Sequence, residues 1–292
     1  MSYAPGIAGV FRGFPRPEPG RPGDPGPFGP GSMVWKLNGE TVTVLGGGRA
    51  LLMQIAHPMV AAGVADHSDF ARDPFERLWR TLDAVLTVGF GDTDQAGEAA
   101  ARVNQVHGRV TGARGGRAYR ALDPELLLWV FATLVDSASV TFERFVRPIP
   151  PYALERYYEE MKGLARAFLV PDDVIPASYR DFARYLDDSL ASIEVTDEAR
   201  ALAPGILGPP APRVLRPLVA AMRSVTVGLL PPRLRDGFGL AWSPRKERAL
   251  DAAAAICRAM VPLLPAGVRQ WPHATAADRR VRPGAPAANR AR

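Results

Sequence analysis

Three of the four histidines, His57, His67 and His107, fall between Arg49 and Gly112 on consecutive amphipathic segments. The same stretch carries Arg77-Leu78-Trp79-Arg80-Thr81, and His107 follows Thr81 by 26 residues. Ala100, Val103 and Val110 recur at helical spacing with His107, so the imidazole shares an apolar face with small side chains. Small neighbours leave room for a flat ligand where leucines would fill it. Upstream, Arg77, Thr81, Ala84 and Val88 form one helical stripe beside a core stripe of Leu78, Leu82 and Val85. A guanidinium and a hydroxyl one turn apart make a polar patch against an apolar wall, suited to a carboxylate, a propionate or a dioxygen species. A histidine ligand for iron facing two arginines and a threonine is the set of groups a haem pocket needs. Taken singly, each has a plainer reading. His107 reads as a core histidine, and the arginines as snorkelling or paired with Asp73 or Asp83.

His57 and His67 add two imidazoles, in Gln54-Ile55-Ala56-His57-Pro58 and Asp66-His67. On one continuous helix they stand almost three turns apart, too far for both to bind one metal. Pro58 disfavours an undistorted helix at His57, and His67 suits a helix end. His57 is kept as a cofactor-pocket candidate. No His-x-x-x-His with an intervening Glu, di-iron Glu-x-x-His pair or Gly-x-Ser-x-Gly elbow is present. Asp136, Ser137 and Ser139 lie in an apolar helix, where hydroxyl-to-backbone bonding accounts for them. Gly46-Gly47-Gly48 lacks the spacing of a phosphate loop and reads as a flexible turn into a helix. Cys257 is the only cysteine, which excludes an intramolecular disulfide and a Cys-rich zinc or iron–sulfur site.

The chain of 292 residues, 47% hydrophobic, can bury a sizeable core. Its net charge of +6 is carried by the two ends: residues 1–32 are +1 (three Arg, two acids) and residues 269–292 are +5 (six Arg, one Asp). The near-neutral middle argues against a nucleic-acid reader, which needs a basic stripe on a folded element. The N-terminal residues lack a signal-peptide pattern, and no run approaches 18 uninterrupted apolar residues. The cytosol is the expected location, with peripheral membrane contact left open.

Residues 1–32 hold eight prolines and eight glycines and read as a disordered or draped arm. Residues 269–292 read as a disordered basic tail, and 33–268 as one folded domain. Helical periodicity covers 47–65, 73–89, 93–112, 123–146, 150–168, 177–192, 212–230 and 244–263. Asp73-Pro74, Asp123-Pro124 and Ser243-Pro244 each place a capping residue before a proline at the first helical position. Residues 203–212 read as a long loop, and Glu40–Leu45 as the only strand-like run. The expected class is all-α.

Read together, the ordered motifs resemble the MpaB-type oxygenase family. They are Leu51 to Ser68 with His57 and His67, Asp73 to Thr81, Val103 to His107, Trp129 to Ser137, Tyr157 to Lys162 and the Trp242 region, spanning about 33–265. That family is similar to the latex-clearing proteins, haem b dioxygenases that cleave the double bonds of polyisoprene. The resemblance implies a globin-reminiscent helical fold holding one haem b. By the family's pattern His107 is the proximal iron ligand, and Arg77 and Thr81 match its pocket arginine and threonine. Arg80 stands where the rubber-cleaving members have a lysine able to approach the distal iron. An arginine stays protonated and is a poor iron ligand, so that coordination does not carry over. The distal acid has no clear counterpart, Asp66 being the nearest, and the rubber substrate is not transferred.

The resulting expectation is a haem b-dependent oxygenase acting with dioxygen on an apolar substrate of isoprenoid or alkene type, with Arg77, Arg80 and Thr81 as catalytic-side residues. The alternatives are a non-catalytic helical haem- or lipid-binding protein, and a helical interaction protein whose histidines only pack.

Overall fold

Apolar residues at helical spacing, punctuated by proline in first turns, fold as a stack of helices around one buried helix. The computed structural model describes residues 14–67 and 74–282, without the side chains of residues 74–78. In chain order the elements are α1 (Met33–Asn38), a 3-10 turn (Thr41–Gly46), α2 (Gly47–Ala56), α3 (Pro58–His67), α4 (Pro74–Phe90) and α5 (Thr93–His107). A hairpin follows, β1 (Thr111–Arg114) with β2 (Arg117–Arg120), then α6 (Pro124–Phe145), α7 (Pro151–Ala167), α8 (Tyr179–Ser192) and α9 (Asp197–Leu207). The chain ends with α10 (Arg216–Leu229), α11 (Pro232–Gly237), α12 (Pro244–Met260), α13 (Ala266–Arg269) and α14 (Pro272–Val281). The all-α expectation holds.

The central element is α6, whose Leu127, Leu128, Trp129, Phe131, Ala132, Val135 and Phe142 are buried in the main core. Helices α1, α2, α7 and α12 pack around it. By length and composition α6 is apolar enough to cross a membrane, but most of it is buried inside the protein. Ser139 and Thr141 donate to carbonyls one turn back, at 2.7 and 2.6 Å. Ser137 does something different. It accepts from Arg49 Nη1 at 2.8 Å, while Arg49 Nη2 pairs with Asp136 at 2.6 Å and Nε donates to Leu229 O at 2.8 Å. This buried guanidinium ties α2, α6 and α10 together.

Several expectations change. The run Glu40–Leu45 is no strand; it becomes the 3-10 turn, and only Glu40 makes a bridge, to Gln270. Gly46 and Gly48 are not a loose turn: a Cβ on either would strike Thr141 or Thr226, so glycine is what lets α6 and α10 approach. The helix drawn over 47–65 breaks at His57, where Pro58 starts α3. The helix drawn over 93–112 ends at His107, and the hairpin that follows turns on Gly115 and Gly116 with φ of +56° and +77°. Residues 203–207 are helical, with Pro204 inside α9. Ser243 caps α12, but Asp123 gives its carboxylate to Arg120 instead of to α6.

The ends are also more ordered than their composition suggests. Residues 14–32 drape over the body, and residues 269–282 are docked, not loose. Arg269 makes a bidentate pair with buried Glu40, and Trp271, Ala274 and Ala277 pack against Trp35, Leu86 and Phe90.

Candidate active site on the α4–α5 hairpin

Helices α4 and α5 pack as an antiparallel pair joined at Gly91-Asp92. A reciprocal cap closes the turn: Gln95 N–H donates to Asp92 Oδ1 at 2.8 Å, and Asp92 N–H donates to Gln95 Oε1 at 3.1 Å. The draped arm and the docked end grip the same turn. Arg21 N–H donates to Asp92 Oδ2 at 2.6 Å, and Arg280 Nη2 donates to Phe90 O at 2.9 Å. Farther along α4, Phe14 stacks edge-on against Trp79 at 5.0 Å.

This pairing sets the level of each candidate. At about 1.5 Å per residue, Arg77 lies about 20 Å before the turn and His107 about 20 Å after it. Arg80 and Thr81 stand level with Val103 by the same reckoning. Both helices carry a stripe that starts in the core near the turn. On α4 it begins at Val88, 1% exposed; on α5 it begins at Ala96 and Ala100, 3% and 5% exposed. Followed away from the turn, Thr81 is exposed, as is Arg80 beside it, and Val103 and His107 are half-buried. The two stripes leave the packed core on the same stretch of the hairpin.

His107 is the last residue of α5. Its Nδ1 is buried with no hydrogen-bond partner, and burial holds its pKa below the usual histidine range. The ring is therefore neutral at pH 7, the form that can ligate a metal. The neighbouring Asn104 donates to Ala167 O at 2.9 Å and anchors α5 to α7.

The remaining candidates divide. The side chain of Arg77 and the capping residue Asp73 lie outside the described residues. His57 sits at the α2–α3 break, against which α9 packs, and not on the hairpin. Its Nδ1 accepts from Met59 N–H at 3.3 Å, and burial lowers its pKa, with Glu125 opposing. His67 is exposed, 2.9 Å from Thr111 O through Nε2. Asp66 accepts from Tyr119 Oη at 2.6 Å and pairs with Arg114, which lowers its pKa and commits it to joining α3 to the β-hairpin.

Sequence reasoning passed over His273. It is 5% exposed, on α14, with both ring nitrogens unpartnered and Nε2 3.8 Å from Asp83 Oδ1. The signal was Trp271-Pro272, another capping position before an N1 proline, hidden in an Ala/Pro/Arg-rich context.

Comparison with known proteins places this hairpin in a catalytic domain. Residues 35–259, more than three-quarters of the chain, match the family model of the ER-bound oxygenase MpaB/B′ and rubber oxygenase catalytic domain. The chain belongs to this oxygenase family. It is 25% identical to the uncharacterized protein Rv2237 of Mycobacterium tuberculosis over 222 residues, covering 74% of this chain and 87% of that protein. Mb2261 of Mycobacterium bovis, also uncharacterized, matches to the same extent. No solved structure matches.

Proposed function

We propose that this chain is a haem b-dependent oxygenase of apolar, isoprenoid- or alkene-type substrates, with His107 as the iron ligand. One observation carries the reading. The neutral imidazole with an unclaimed ring nitrogen lies level with the Arg77-to-Thr81 motif, where two core stripes emerge together. Among the described residues no three His, Cys, Asp or Glu side chains gather to hold a metal.

A haem bound there supplies dioxygen binding and activation. The chain's own groups do the rest. His107 remains neutral because burial disfavours its cation, so it keeps a lone pair for the metal. Arg80, permanently protonated, offers hydrogen-bond donors to developing negative charge and takes no proton itself. Arg77 and Thr81, one turn apart, are assigned to the same polar side, where they orient bound groups. The apolar residues of the emerging stripes, Ala84 and Val103, exclude water from the substrate.

Absorption spectra of the purified protein, oxidised and reduced, with and without carbon monoxide, test this reading. A Soret band that shifts with carbon monoxide and is lost in His107→Ala is the expected result. An unchanged Soret band in His107→Ala, or none after haem is added to the wild-type protein, overturns it. Dioxygen consumption with apolar alkenes separates the oxygenase from a protein that only binds haem or lipid.

A further inference from the structure

Between the end of α9 and the outer face of α10 runs a groove of about 450 Å3, within the size range of small-molecule sites. Leu207, Pro209, Ala211 and Val219 line it, with Arg216 and Arg223 along its edge. Arg216, Val219, Ala220 and Arg223 follow i, i+3, i+4, i+7, so they share one face of α10. Both guanidinium groups are exposed, and neither makes an ion pair or hydrogen bond among the described residues. The sequence explains why. From Ala199 to Arg235, 37 residues contain six arginines and no Asp or Glu, in a chain with 30 acids among 292 residues. In the lining, Ala211 is buried against Trp79, Leu215 and Val219. Trp79 lies between Arg77 and Arg80 in the sequence of α4, so a residue that lines the groove beside two unpaired cations, Ala211, rests on the helix that carries the candidate site.

We infer that this groove binds an amphiphile, an apolar chain ending in an anionic carboxylate or phosphate. Arg216 and Arg223 take the head through charge-assisted hydrogen bonds, and the apolar lining takes the chain. An anion alone would leave the apolar lining uncovered, and an uncharged chain would leave the two cations without a role. The head also fixes which end of the molecule enters. Naming this ligand as the substrate rests on the oxygenase reading; the binding itself does not.

Calorimetric titration of the full chain with farnesyl phosphate, farnesoate, farnesol and inorganic phosphate tests the inference. At least one of the two anionic amphiphiles is expected to bind tenfold or more tightly than farnesol and than inorganic phosphate. Arg216→Gln with Arg223→Gln, two exposed positions, is expected to abolish that preference while farnesol binding persists. Arg245→Gln with Arg248→Gln on α12 removes the same charge elsewhere and should leave the preference intact. Equal affinities for the charged and uncharged chains overturn the inference. So does inorganic phosphate binding as tightly as the amphiphiles, or a preference that survives in the Arg216/Arg223 variant. His107→Ala keeps amphiphile binding, so the titration tests the groove and the haem spectrum tests the oxygenase reading separately.

Discussion

Lowering the pH from 7 to 5 should loosen the docked C-terminal helix, and His273 sets the size of the effect. Its ring is buried, neither nitrogen is hydrogen-bonded, and the nearest carboxylate oxygen, on Asp83, is 3.8 Å away. Burial pushes its pKa down to about 4 from an ordinary value of 6.5. The folded pKa lies below the unfolded one, so between those values the unfolded chain binds the proton more readily and stability falls with pH. The full gap corresponds to at most about 3 kcal/mol, of which about 2 is lost by pH 5. These are upper bounds, because the ring lines a polar cavity of about 210 Å3 that opens to solvent screening. The charged groups facing that cavity are Arg16, Glu18, Asp83, Glu98, Arg102 and Arg280. Asp83 acts in the opposite sense, because burial raises its pKa and acid relieves its charge; Arg102 opposes that rise.

The matching perturbation is His273→Leu, which removes both polar atoms and stays apolar. Thermal unfolding followed by circular dichroism at fixed ionic strength is the assay. The wild-type melting temperature should fall between pH 7 and 5 by up to about 3 °C more than that of the variant. The variant should also be the more stable of the two at pH 5. Equal slopes for the two proteins would refute the reasoning, because the proton would then be taken up elsewhere.

Other outcomes follow from the packing. Arg49→Met leaves the Asp136 carboxylate without its cation and should cost about 3–5 kcal/mol in urea unfolding; replacing Asp136 by Leu as well should recover part of it. Gly48→Ala should cost about 1–3 kcal/mol by striking Thr226, and Thr226→Ala in the same chain should restore most of that. Phe14→Ala with Trp271→Ala should weaken the grip on α4 by about 2 kcal/mol, read as roughly 30-fold faster amide hydrogen exchange in α4 with α6 unchanged.

Legibility in the sequence tracked repetition. Apolar residues at helical spacing announced α4, α5, α6, α7 and α12, and proline after Ser243 marked the start of α12. The strain of Pro58 on His57 was visible too, though only the structure turned it into two helices. Features resting on one or two residues did not stand out. Gly115-Gly116 is a sufficient signal for a hairpin, but the helix drawn over 93–112 ran into its first strand, which starts at Thr111. Glu40 to Leu45 alternates like a strand, yet among the described residues no strand pairs with it beyond the single bridge from Glu40 to Gln270. Arg49 and His273 carry no periodic signal, because burial of Arg49 depends on Asp136, 87 positions away, and burial of His273 on the docking of α14 against the distant α4. Within the site, the stripes of Arg77, Thr81 and Val88 and of Ala100, Val103 and His107 were legible, whereas the level at which they meet depended on the length of both helices.

That level is set in part from outside the family's catalytic domain. The matched region spans residues 35–259, while Phe14, Arg21, Trp271 and Arg280 lie beyond it. Yet these four residues hold the turn at Asp92 and the Trp79 face of α4. Gly26 belongs to the same clamp, since a Cβ there would strike the Gly91 carbonyl. Arg80 and Thr81 are exposed and bury nothing on their side of α4. The two chain ends add contacts to this helix and its turn. The described parts of the proline- and arginine-rich segments, read by composition as a disordered or draped arm and a disordered tail, therefore belong, physically, to the positioning of the candidate site.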